Sequence, residues 1–69
     1  MREARNDPRT RGAVLLDVRQ VAELYGLHVR TVWRMAASGE LPQPIRISER
    51  VVRWRLVDIE RHIQQASRA

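Results

Sequence analysis

A chain of 69 residues can build one small domain, and burying about 60% of its unfolded surface leaves little interior in which to enclose a catalytic cleft. Cysteine is absent, which excludes disulfides and thiolate metal sites, and no apolar run reads as a signal peptide or a membrane span. Thirteen arginines and no lysine stand against eight acids, a net charge of +5 that points to a polyanion, nucleic acid first, as partner.

A bias in genomic base composition would also replace lysine with arginine, so the position of the charge carries more weight than its chemistry. Four arginines against two acids occupy residues 1–16, and four against one occupy 41–56, while the rest of the chain is balanced. The expected setting is a reducing cytoplasm, with no small-molecule ligand, cofactor, metal or membrane surface as partner. No nucleophile and base stand at a convincing spacing, so no catalytic residue is assigned and a binding module is favoured over an enzyme.

Residues 1–13 mix Arg2, Arg5, Arg9 and Arg11 with Glu3, Asp7, Pro8 and Gly12, without hydrophobic periodicity. They are expected to form a basic disordered tail, either an arm lying along DNA through Arg9 and Arg11 or a solvated extension. Residues 14–69 form the domain. Asp17 followed by Gln20 has capping-box spacing, which predicts a first helix over 18–25, closed by Gly26. Its buried stripe is read as Val18, Val21, Ala22, Leu24 and Tyr25, with Arg19, Gln20 and Glu23 outward. Leu27 follows as a hydrophobic contact to the helix cap.

A second short helix is marked at both ends, by Gly26 before it and by Gly39 and Pro42 after it. Winding it at about 100° per residue puts Val32, Met35, Ala36 and Gly39 on one side, Arg30, Arg34 and Ala37 on the other, and Trp33 on the flank. One face is made for burial; the other offers two arginines one turn apart. This is the pattern of the recognition helix of a helix-turn-helix. His28 stands at its N-cap, where imidazole caps poorly; it either meets a phosphate or is a tolerated exposed residue.

The rigid run Leu41-Pro42-Gln43-Pro44 leads into two alternating pieces, Ile45-Arg46-Ile47 and Val52-Arg53-Trp54-Arg55, separated by the turn Ser48-Glu49-Arg50. They predict a hairpin wing with Ile45, Ile47, Val52 and Trp54 inward and Arg46, Arg53 and Arg55 outward. Those arginines either reach DNA or blunt exposed strand edges. Leu56, Ile59, Ile63 and Ala66 at helical spacing predict a third helix that closes the core, with Arg61, Gln64 and Gln65 in solvent and no basic stripe.

The order helix, turn, recognition helix, Gly39-Glu40-Leu41-Pro42-Gln43-Pro44, hairpin, Trp54, helix resembles the AlpA-type regulators and phage excisionases that share the MerR-like winged helix-turn-helix fold. The likeness runs from Leu15 to about Gln64, and its most specific pieces are Gly26-Leu27, Thr31-Val32-Trp33-Arg34 and Val52-Arg53-Trp54. The resemblance implies a mainly α fold with a small hairpin, a recognition helix in the major groove, and a wing at an adjacent minor groove or its phosphates. By resemblance, Thr31 and Trp33 hold phosphates, Arg30 and Arg34 reach base edges or phosphates, and Arg50 sits at the wing tip. Where the family usually has serine, tyrosine, tryptophan, tryptophan and serine, this chain has His28, Trp33, Met35, His62 and Val57.

The expected DNA-binding set is therefore His28, Arg30, Thr31, Trp33 and Arg34 on the recognition helix, with Arg46, Arg50 and Arg53 on the wing. The expected function is sequence-specific binding of double-stranded DNA, as a recombination directionality factor assisting an integrase or as a transcriptional regulator. The chain has no leucine heptad for a stable dimer, so neighbouring protomers are expected to load side by side on DNA. The alternative is a protein-interaction module of a phage or mobile element, a packaging subunit or antirepressor, built on the same fold.

Overall fold

The computed structural model describes residues 14–67. The tail and its Arg9 and Arg11 lie outside the described residues. The elements run β1 (Leu15–Leu16), α1 (Val18–Tyr25), α2 (Val29–Ser38), β2 (Ile45–Arg46), β3 (Val52–Arg55) and α3 (Leu56–Ser67). This is a winged helix-turn-helix, with three helices against a three-stranded antiparallel sheet ordered β1-β3-β2.

Local chemistry accounts for the boundaries of the first two helices. The Asp17 carboxylate accepts from the Gln20 backbone N–H at 2.9 Å, and the Gln20 side chain accepts from the Asp17 N–H at 2.9 Å. This closed box satisfies two donors that the first turn of α1 leaves open. At the other end Gly26 takes φ +71°, a conformation that costs an L side chain, and lets Leu27 N–H reach the Ala22 carbonyl at 2.9 Å. Gly39 repeats the device after α2 at φ +87°, with Glu40 N–H on the Met35 carbonyl at 2.8 Å. The chain thus stops, turns over Gly26–His28, and restarts, which sets α2 across α1.

The core is small: Val21 and Ala22 of α1, Val32 and Ala36 of α2, Leu41, Trp54 of β3 and Ile59 of α3. Trp54 is fully buried and is its largest member, and its ring Nε1–H donates to the Pro42 carbonyl at 2.9 Å. Gln43 reaches back to donate to the Ala36 carbonyl, so the rigid linker after α2 is tied to both helix and wing. A third polar tie comes from His62 of α3. The Glu40 carbonyl can only accept, so His62 Nε2 carries the proton that spans their 3.0 Å separation, and in the neutral ring Nδ1 then accepts from the Tyr25 hydroxyl at 2.9 Å. Partial burial at this contact pushes the Tyr25 phenol above its ordinary pKa.

The structure corrects four sequence expectations. Leu24 is 54% exposed rather than part of the buried stripe of α1, because at 100° per residue it falls roughly 110° from the stripe centred on Val18, Val21, Ala22 and Tyr25. Ile63 and Ala66 of α3 are exposed, because the core ends at Ile59 and the next inward position is the polar His62. In the wing, Ile45 pairs with Arg53, and Arg46 pairs with Val52. Directly opposed residues share a face, so Ile45 stands with Arg53 on the outer face, while Arg46 stands on the face of Val52 and Trp54. Ile45 and Ile47 are accordingly exposed, and Arg46 faces the helices' side instead of outward.

Candidate nucleic-acid interface

The exposed side of α2 carries Arg30, Trp33, Arg34 and Ala37, at the i, i+3, i+4, i+7 spacing of one helical stripe, while Val32 and Ala36 are buried behind it. No acidic residue occurs within α2. The stripe is therefore a purely basic and aromatic surface on a helix held from behind by the core. Arg30 and Arg34 lie one turn apart, the spacing at which two forked guanidinium groups reach neighbouring base edges or phosphates.

The start of α2 adds a second anion-seeking feature. His28 is extended at the N-cap position and makes no side-chain cap hydrogen bond. The first intrahelical bond is Val32 N–H to the His28 carbonyl at 3.0 Å, so the backbone N–H groups of Val29, Arg30 and Thr31 precede the ladder. No acid in the first turn competes for them. With His28 exposed and Thr31 half-buried beside them, these donors form a pole that favours a phosphate.

Trp33 has two environments. One side of its indole packs on Trp54, ring centroids 5.3 Å apart and tilted by 51°, and the residue remains 42% exposed. It thereby links α2 to the wing strand β3. This contact is not readable from α2 alone, since Trp54 lies 21 positions further along the chain. Periodicity gives only its flank position.

The wing arginines separate by face. Arg46 and Arg50 are exposed, and an Arg46 Nη1–H donates to the Glu49 carbonyl at 3.2 Å, across the turn. Arg53 is half-buried on the outer face beside Ile45 and donates to the Val52 carbonyl at 2.9 Å. Arg55, at the strand end, is paired with Asp58 at 3.3 Å and is partly neutralised there. The structure thus brings Arg30, Trp33 and Arg34 together on α2, links them to the wing through Trp54, and turns Arg46 and Arg53 to opposite faces of the hairpin.

Among the described residues no group of His, Asp and Glu comes together as a metal cluster, and no helix is long and apolar enough to cross a membrane. A second helix, α2, backed by α1 across a tight turn, with a hairpin beside it, defines a helix-turn-helix module. Residues 15–67 match the model of the helix-turn-helix domain family, so the chain belongs to that family, whose fold makes DNA the partner to expect. No curated protein and no solved structure matches the chain.

Proposed function

We propose that this protein binds double-stranded DNA sequence-specifically, with α2 in the major groove and the wing against the flanking backbone or minor groove. The observation that carries the reading is the exposed Arg30-Trp33-Arg34 stripe on an acid-free helix whose opposite face is buried. In this reading Arg34 and Arg30 read base edges, while Thr31, His28, Trp33 and the first N–H groups of α2 hold phosphates. Arg46 and Arg50 contact the adjacent backbone. Arg53, on the outer face of the hairpin, is the weaker wing contact.

The biological role that fits is an excisionase-like recombination directionality factor or an AlpA-like regulator. A single helix and a two-stranded wing make a small footprint, since single modules bury only about 600–1,000 Å². Affinity then comes from several copies on adjacent sites, with bending of the duplex and, for the excisionase role, an integrase as partner. The alternative, a module that binds another protein, draws on the exposed Leu24, Ile47 and Ile63.

A titration on duplexes carrying one, two and three copies of a selected site separates these readings, with sedimentation of the free protein alongside. The expected result is a monomer in solution and binding that steepens with each added site. A tight dimer without DNA, or independent filling of adjacent sites, would contradict the assembly. Failure to prefer any duplex over random DNA would leave the protein-binding reading standing.

A further inference from the structure

The exposed stripe of α2 changes character along its length. Its first two turns present the guanidinium groups of Arg30 and Arg34, whereas its last turn presents the bare methyl of Ala37, which is exposed. At about 100° per residue Ala37 stands between Trp33, roughly 40° to one side, and Arg34, roughly 60° to the other. Helical side chains lean toward the N-terminus, so the Ala37 methyl lies over the turn that carries those two residues. Trp33 is held in place there, because its indole packs on the buried ring of Trp54. The result is a small apolar step with an aromatic wall on one flank and the two arginines on the other.

Among the described residues, the polar side chains that follow Arg34 at this end of α2 are already engaged. The Ser38 hydroxyl lies 3.1 Å from the Met35 carbonyl and 2.8 Å from a Glu40 carboxylate oxygen, which occupies its single proton. Gly39 has no side chain, and the Gln43 amide is turned back onto the Ala36 carbonyl. Base edges in the major groove offer nitrogen and oxygen atoms and one apolar group, the pyrimidine 5-methyl. Against any other edge Ala37 leaves a desolvated donor or acceptor unpaired; against the methyl it buries carbon on carbon. The rise of about 4.5 Å from Arg34 to Ala37 is close to one base-pair step of about 3.4 Å, so the two side chains address neighbouring pairs.

Resting on the DNA-binding reading, we propose that Ala37, walled by Trp33, is a specificity-determining residue that reads the 5-methyl group of a pyrimidine beside the guanine read by Arg34. Thymine and 5-methylcytosine present the same methyl at the same ring carbon, so both are ligands for the step and unmodified cytosine is not.

The test uses a duplex selected from random sequence by the wild-type protein, in which uracil replaces thymine one position at a time. The selected motif is expected to carry a thymine beside a guanine, and uracil at that position, which lacks only the methyl, to weaken binding about fourfold, the worth of one buried methyl. With a C·G pair placed there instead, 5-methylcytosine should bind about fourfold tighter than cytosine. Ala37→Gly removes the reader and should bind the thymine and uracil duplexes equally. Glycine weakens a helix, so Ala37→Gln, a good helix former that puts an amide in place of the methyl, is the second variant and should lose the same preference. A motif with no thymine beside a guanine, uracil tolerated at every position, 5-methylcytosine no better than cytosine, or a thymine preference that Ala37→Gln keeps would each overturn the assignment. A wild-type protein that selects no motif sinks the DNA-binding reading itself, which distinguishes the two failures.

Discussion

Trp54→Ala is expected to unfold the domain at ordinary temperature. Removing a fully buried indole costs about 3–5 kcal/mol, through lost burial and the cavity left behind. A domain of this size has only about 3–8 kcal/mol in total, at roughly 0.05–0.15 kcal/mol per residue. The loss is compounded by position, since Trp54 joins the Pro42 carbonyl, the Trp33 ring and the inner face of β3. Trp54→Phe separates these parts. It keeps a ring in the core but leaves the Pro42 carbonyl without its donor, a defect of about 1–3 kcal/mol. It should remain folded with a clearly lowered midpoint. Thermal melts followed by circular dichroism check both, and a cooperative Trp54→Ala melt within a few degrees of the wild type would show that the core is organised elsewhere.

The second large effect is on binding. Arg34→Ala is expected to weaken the selected site by about 1–3 kcal/mol, roughly 5- to 150-fold, and to relax discrimination at one position of the site. Its side chain is exposed on α2 and makes no core contact, so the melting temperature should barely move. Arg30→Ala is the companion change. The two lie one turn apart, so their losses need not add, and the double variant should fall toward the affinity of random DNA. An equal loss on specific and random duplex would assign the side chain to phosphate. Full affinity in the double variant would remove α2 from the interface.

What was legible from sequence follows from how local each signal is. The capping pair Asp17 and Gln20 and the left-handed stops Gly26 and Gly39 act within a few residues, and they set α1 and α2 as expected. The outward direction of Arg30 and Arg34 follows from winding a single helix. The faces of the wing do not follow in the same way. Val52 and Trp54 alternate, and so do Ile45 and Ile47, but the turn between the pieces decides which pair lies inside, and a shift of one residue reverses every side chain. Two-residue β1 was unreadable for a related reason. Leu15 and Leu16 become a strand only by pairing with Arg55 and Trp54, nearly 40 positions away. The Tyr25–His62–Glu40 tie joins three separate elements and likewise has no local signature.

The central claim is that α2 enters the major groove with Arg30 and Arg34 against base edges. Protection of guanine N7 from dimethyl sulfate, on a duplex selected from random sequence by this protein, tests it most directly, because N7 faces only the major groove. The expected result is a short run of protected guanines within the selected motif, of which specific ones reappear when Arg34→Ala or Arg30→Ala replaces the wild type at saturating concentration. Selection that yields no motif, or protection that is unchanged in both variants, would contradict it.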